Sequence, residues 1–209
     1  MKIEIKTWAY HTPCGDRALS VPLGERRTLV LLADGMGGYA YPDKASEIAV
    51  ETVTKYLLLY PHESPEISIQ QAFIEADREI YRVSSKLQTK IGTSLTLLLI
   101  DAGKVYFSNI GDVRLYHLSS SGQLRQLSDD HRKIIDGNSY LTESINGRGF
   151  RKEPLVQVQP LSSKDRFLLC TDGAYMKFSP SIFFSDEWKT LSMDTIDDDC
   201  SIVVVSGIE

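Results

Sequence analysis

Only three cysteines occur in 209 residues, Cys14, Cys170 and Cys200, and no two stand in a CxxC spacing. That leaves no disulfide framework and no cysteine zinc cluster, and it points to reduced thiols in a cytoplasmic protein. Histidine is equally sparse. His11, His62, His117 and His131 are scattered, so they offer no zinc-binding cluster. Long apolar runs are missing: the longest, Leu95 to Ile100, is already broken by Thr96, so no segment is suited to crossing a membrane. The N-terminus, MKIEIKTWAY, alternates apolar and charged residues as a strand does and does not read as a signal peptide. There is no basic excess. The net charge of −5 argues against a nucleic-acid surface and is compatible with cation binding.

With 42% apolar and 24% charged residues, the chain has material for a core and reads as one domain over 1–209. Strands are expected at Ile3 to Thr7, Arg17 to Val21 and Thr28 to Ala33, the last apolar enough to be buried on both faces. Pro42 opens a helix to about Leu59, and a second helix runs from about Ile67 to Ser85. Then come Ser94 to Ile100, Lys104 to Ile110 and Val113 to Leu118, joined by tight turns at Asp101-Ala102-Gly103 and Gly111-Asp112. A short edge strand is expected at Leu124 to Leu127, and a short helix near Tyr140 to Ile145. Strands resume at Leu155 to Val158, Arg166 to Thr171 and Ser201 to Ser206. Strands, two helices, then hairpin-linked strands do not alternate as a doubly wound fold does. The order predicts an α+β fold in which antiparallel sheets are covered by helices.

One class of residue recurs at the strand ends. Asp16 follows Gly15, Asp34 precedes Gly35, Asp112 follows Gly111, and Asp172 precedes Gly173. Asp197, Asp198 and Asp199 stand directly before the last strand. Any one Asp-Gly pair is ordinary turn chemistry, with the carboxylate bonding its own backbone and glycine supplying a positive φ. Asp136-Gly137 is read that way. As a set, strand-end carboxylates can converge on one edge of a sheet sandwich, where they would repel one another unless a hard cation were bound. Mg²⁺ and Mn²⁺ take oxygen ligands and would there activate water and neutralise a phosphate, which points to phosphoester hydrolysis. A nucleotide cradle at Asp34 to Gly38 lacks both the GxxxxGK[ST] and the GxGxxG spacing.

These segments carry a family resemblance. "CGDRALSV" (14 to 21), "LVLLADGMGG" (29 to 38), "IGTSLTLLLI" (91 to 100), "VYFSNIGDVRLY" (105 to 116), "LSDDH" (127 to 131), "DRFLLCTDGAY" (165 to 175) and "DDCSIVVV" (198 to 205) resemble, in order, the metal-dependent type 2C serine/threonine protein phosphatases in a compact bacterial form. The resemblance implies a four-layer sandwich of two antiparallel sheets flanked by α-helices. It also implies a centre of two Mn²⁺ or Mg²⁺ ions, with a third, weaker one. Carried over by position, Asp34 bridges both ions and the Gly35 carbonyl binds one. Asp172 and Asp198 hold the other, Asp198 being favoured over Asp199 by alignment with the family's Asp-Asn-x-Thr run. Asp16 supports the metal waters, and Asp112 holds the third ion. The implied partner is a phosphorylated protein, with no nucleic acid and no membrane, and the implied state is a cytoplasmic monomer.

The chain also departs from that pattern. His11 stands where the family has a phosphate-clamping arginine, which makes it the candidate substrate contact, with Arg17, Arg114, Arg148 and Arg151 as substitutes. Two other readings use the same fold: a pseudophosphatase serving as a binding module, and a hydrolase of small phosphoesters.

Overall fold

The computed structural model describes residues 1–136, 138–192, 194 and 196–208. Gly137, in the expected Asp136-Gly137 turn, lies outside them. Five strands, β1 (Lys2–Trp8), β2 (Asp16–Pro22), β3 (Arg27–Gly35), β4 (Thr93–Asp101) and β5 (Lys104–Ile110), share two sheets with the later strands, and α1 (Pro42–Leu59) and α2 (Pro65–Leu87) separate β3 from β4. There follow β6 (Arg114–Leu118), β7 (Leu124–Gln126), β8 (Arg132–Ile135), β9 (Asn138–Leu141), β10 (Gln157–Pro160), β11 (Arg166–Cys170), a one-turn α3 (Asp172–Tyr175) and β12 (Cys200–Ser206). One sheet has the order β10-β5-β4-β3-β2 and the other β1-β12-β11-β6-β7, with antiparallel pairing throughout.

The period-2 geometry of a strand explains why β3 is apolar at every position. Leu29, Leu31 and Ala33 pack under the helices, while Val30 and Leu32 face the second sheet. β4 divides in the same way, with Leu95, Leu97 and Leu99 toward the helices and Leu98 and Ile100 toward the sheet. The threonine that interrupts this run is buried and satisfied: Thr96 Oγ1 donates to the Val113 carbonyl at 2.6 Å. From the opposite sheet Leu115, Phe167, Leu169, Val203 and Val205 complete the inter-sheet core. Each large side chain buried there contributes about 1.5–3 kcal/mol.

The helices cover one outer face through Ala45, Ala49, Val53, Ala72, Phe73 and Ile80. α2 starts at Pro65, earlier than expected, because Ser64 caps it and accepts from the Ile67 N–H at 3.4 Å. The other outer face carries Tyr116, Leu168, Ile202 and Val204. Its cover is α3 and two 3₁₀ turns, Pro180–Phe184 and Glu187–Thr190, which set Phe183, Phe184 and Trp188 on the sheet. The fourth layer of the sandwich is therefore thin.

Two local expectations are corrected. The expected helix at 140–145 is the β8–β9 hairpin followed by a β-bridge between Thr93 and Ile145. Its apolar residues have no core beneath them, and Ile134 and Tyr140 are 73% and 52% exposed, so helical spacing there had no packing to serve. The strand expected at Leu155 to Val158 lies at Gln157–Pro160, shifted by its pairing with β5.

Candidate functional site

Five of the strand-end aspartates, Asp16, Asp34, Asp112, Asp172 and Asp198, come to one edge of the sandwich. Asp16 and Asp34 are direct cross-strand partners at the ends of β2 and β3. The other sheet is tied to them by Thr171, whose Oγ1 donates to Asp16 Oδ2 at 3.0 Å and accepts from the Ser201 N–H at 2.9 Å. Asp172 follows Thr171 as the first residue of α3. Tyr175, at the other end of that single turn, donates its hydroxyl to the Asp112 carbonyl at 3.1 Å, so the β5–β6 turn is drawn to the same place.

Glycines permit this convergence by lacking a side chain. A Cβ on Gly35 would lie 2.1 Å from the Pro42 carbonyl oxygen, where α1 begins against the end of β3. A Cβ on Gly173 would lie 2.2 Å from the carbonyl oxygen of Asp199. Close approach of backbones, and not only tight turning, therefore requires glycine beside these carboxylates.

Asp198 and Asp199 have separate surroundings. Asp199 is buried and accepts from the N–H groups of Tyr10 (2.7 Å), His11 (2.9 Å) and Gly15 (2.7 Å). Burial works against its charge, yet those donors outweigh it and hold its pKa below the ordinary carboxylate value. Asp199 thus pins the 10–15 segment to the start of β12. Asp198 is exposed, accepts one hydrogen bond from the Asp199 N–H at 2.8 Å, and keeps oxygen capacity for a ligand.

The remaining acids are pushed the other way. Burial, then the charges of Asp16, Asp172, Asp112 and Asp198, raise Asp34 well above the carboxylate range. Burial raises Asp16 to about 7 against hydrogen bonds from Ser201 and Thr171, and Asp199 and Asp172 add to the rise. Burial and the charges of Asp112 and Asp198 raise Asp172 to about 6. Asp112 rises through burial, opposed first by Arg132. Asp16 Oδ1 is buried without a hydrogen-bond partner among the described residues. An orphaned carboxylate oxygen beside mutually repelling carboxylates fits hard divalent cations, which take oxygen donors and relieve that repulsion.

His11 stands at the exposed lip, its Nδ1 3.5 Å from both Asp198 Oδ1 and Asp199 Oδ2. Of the other candidate substrate contacts, Arg17 pairs with Glu47 at 2.8 Å, and Arg151, highly exposed, lies 3.8 Å from Glu143. Arg114 gives a fork to Asp130, bonds Tyr116 Oη at 3.2 Å and stacks on the Tyr175 ring at 3.7 Å. His131 has a structural role: its N–H donates to the Gly111 carbonyl at 2.9 Å, and its Nδ1 accepts from the Gly111 N–H at 3.1 Å. Sequence reasoning did not single out Thr171, Tyr175 or Arg132. The available signal was position: Thr171 directly precedes Asp172, Tyr175 stands three residues after it, and Arg132 directly follows His131.

A family model described as protein phosphatase 2C matches residues 9–201. The serine/threonine phosphatase stp of Listeria monocytogenes serotype 4b is 30% identical over 170 residues, which is 71% of this chain and 67% of that protein. The crystal structure of the Mycobacterium tuberculosis serine/threonine phosphatase PstP/Ppp aligns with a TM-score of 0.81 at 20% identity, covering 100% of this chain and 99% of that one. The catalytic domain of PstP in complex with 2 manganese ions aligns at 0.80 and 20% identity, covering 100% and 98%.

Proposed function

The chain belongs to the protein phosphatase 2C family, and from that premise we propose that it hydrolyses phosphoserine and phosphothreonine esters of proteins at the five-aspartate edge. The observation that supports this reading most directly is the gathering of Asp16, its cross-strand partner Asp34 and the Thr171-Asp172 turn around an Asp16 oxygen that has no hydrogen-bond partner among the described residues. In this reading Asp34, the Gly35 carbonyl, Asp172 and Asp198 would hold two Mn²⁺ or Mg²⁺ ions. Asp112 would hold a third, weaker one. The manganese in the PstP catalytic domain supports Mn²⁺ as the first ion to try. Bound there, the ions supply charge neutralisation for the phosphate and a water made nucleophilic near neutral pH.

The chain's own groups position that chemistry. Thr171 fixes Asp16 Oδ2, and Oδ1, without a partner among the described residues, keeps its lone pairs for a donor. Asp199 accepts from three backbone N–H groups and holds the His11 loop against Asp198. A cysteinyl-phosphate route is disfavoured. Cys170 and Cys200 are buried in the outer core, and burial raises the Cys14 thiol to about 12, which leaves it protonated at neutral pH. Water is then the nucleophile and the serine or threonine oxygen leaves. His11, at the lip, is proposed to meet the substrate. No helix among the described residues is long and apolar enough to cross a membrane, and a single-domain cytoplasmic monomer completes the proposal.

The test is hydrolysis of p-nitrophenyl phosphate and a phosphothreonine peptide, with Mn²⁺ and with chelator, by the wild type and Asp34→Asn. Mn²⁺-dependent turnover that disappears in the variant supports the reading. Turnover of the small ester without the peptide would assign a small-molecule hydrolase. A folded, Mn²⁺-loaded protein with no turnover would assign a binding module.

A further inference from the structure

We propose that Arg132 anchors the substrate's phosphate in this chain, an inference that rests on the phosphoester reading of the site. The cleft is lined by acids, so a phosphate dianion entering it needs a fixed cation in addition to any ions. Arg132 is held beside Asp112 by its neighbour. His131 exchanges two hydrogen bonds with Gly111, and the next residue opens β8. The Arg132 guanidinium lies over the Tyr175 ring at 5.7 Å, and Tyr175 joins the Asp172 turn to Asp112. Its Nε is 3.2 Å from Asp130 Oδ2, with the side chain 20% exposed. Among the described residues the two terminal nitrogens make no hydrogen bond, which leaves them for a ligand.

Two other candidate cations, Arg114 and His11, are committed. Arg114 spends its fork on Asp130 and its remaining nitrogen on Tyr116, which makes it the residue that positions Asp130 for Arg132. His11 lies between two carboxylates and is the weaker partner for a dianion. Arginine suits the task because its planar fork matches two phosphate oxygens at once.

The experiment measures KM and kcat for p-nitrophenyl phosphate, and the inhibition constant of inorganic phosphate, with saturating Mn²⁺. The variants are Arg132→Ala, Arg132→Lys and, as an exposed control on α2, Arg82→Ala. Arg132→Ala is expected to raise KM and the phosphate inhibition constant together by roughly ten- to a hundred-fold, the range for loss of a charged hydrogen-bond donor. Arg132→Lys keeps the charge without the fork and should fall between, and Arg82→Ala should match wild type. Mn²⁺ affinity, read by calorimetry, should be unchanged in Arg132→Lys. Wild-type turnover with both constants within twofold in Arg132→Ala and Arg132→Lys would overturn the inference and leave the phosphatase reading intact. If the wild type turns nothing over, the phosphatase reading fails first. Calorimetric binding of inorganic phosphate to the Mn²⁺-loaded protein then decides: equal affinity in wild type and Arg132→Lys overturns the anchor, and a tenfold loss supports it.

Discussion

Replacing Asp16 by Asn should make the metal-free protein more stable at pH 7.5, the reverse of what losing a buried hydrogen-bonded residue does elsewhere in a core. Asp16 has its carboxyl raised from 3.8 to about 7 by burial and its acidic neighbours. Unfolding restores the ordinary value. The stability contributed by the protonated carboxyl is therefore fully present below 3.8 and is lost as pH rises through about 7. Asp172 repeats the pattern, with its share lost as pH rises through about 6. A shift of this size corresponds to at most ~4 kcal/mol at 1.36 kcal/mol per unit. Because the acids share one repulsion, removing a single charge should recover about 1–3 kcal/mol of it. Asn keeps an oxygen for Thr171 Oγ1 and gains an N–H₂ that can face Asp34 across the strand pair. For a domain of this length that is a rise in melting temperature of about 3–10 °C. The assay is thermal melting of chelator-treated protein from pH 5 to pH 8, for wild type and Asp16→Asn. Wild type should lose stability across that range and the variant should lose less. Added Mn²⁺ should reverse the wild-type trend, by about 2.7 kcal/mol at a hundredfold excess over its dissociation constant. A metal-free wild type that gains stability from pH 5 to pH 8, or an Asn variant that melts lower at pH 7.5, would refute the proposed electrostatics of the cleft.

Asp199→Ala should cost roughly 3–5 kcal/mol, since it leaves three backbone N–H groups without their acceptor, and urea titration would show it as a lower midpoint. Asp198→Ala should leave metal-free stability within about 1 kcal/mol of wild type, because its side chain is exposed. Equal losses from the two would contradict their assigned roles. Gly173→Ala should lower stability by roughly 1–3 kcal/mol and weaken Mn²⁺ binding, because the new Cβ displaces Asp199 from beside Asp172; unchanged calorimetry would argue otherwise. Burial raises the thiols of Cys14 and Cys200 to about 12 and lifts Cys170 further, so Ellman's reagent at pH 8 should react slowly with the native chain and quickly with all three in urea.

The chain's local chemistry determined a good deal by itself. An unbroken apolar strand at 29–33 can only be buried on both faces, so a second sheet behind β3 was implied before any tertiary contact was known. Aspartate beside glycine at four strand ends marked the site's raw material, because a carboxylate at the end of a buried strand needs a partner. What no local pattern could supply was the division of labour among those acids. Asp198 and Asp199 are neighbours of identical type, and only hydrogen bonds from residues 184 to 189 positions away make one a structural anchor and leave the other open. Arg132 resembles any surface arginine until His131 clips it to Gly111 and Tyr175 comes beneath it. The β8–β9 hairpin escaped periodicity because its apolar side chains face solvent, and periodicity reports burial. The sequence set which residues were buried and where the carboxylates stood along each strand. The tertiary structure decided which of them share one low-dielectric cleft, because repulsion, desolvation and long-range hydrogen bonds exist only once the two sheets are packed.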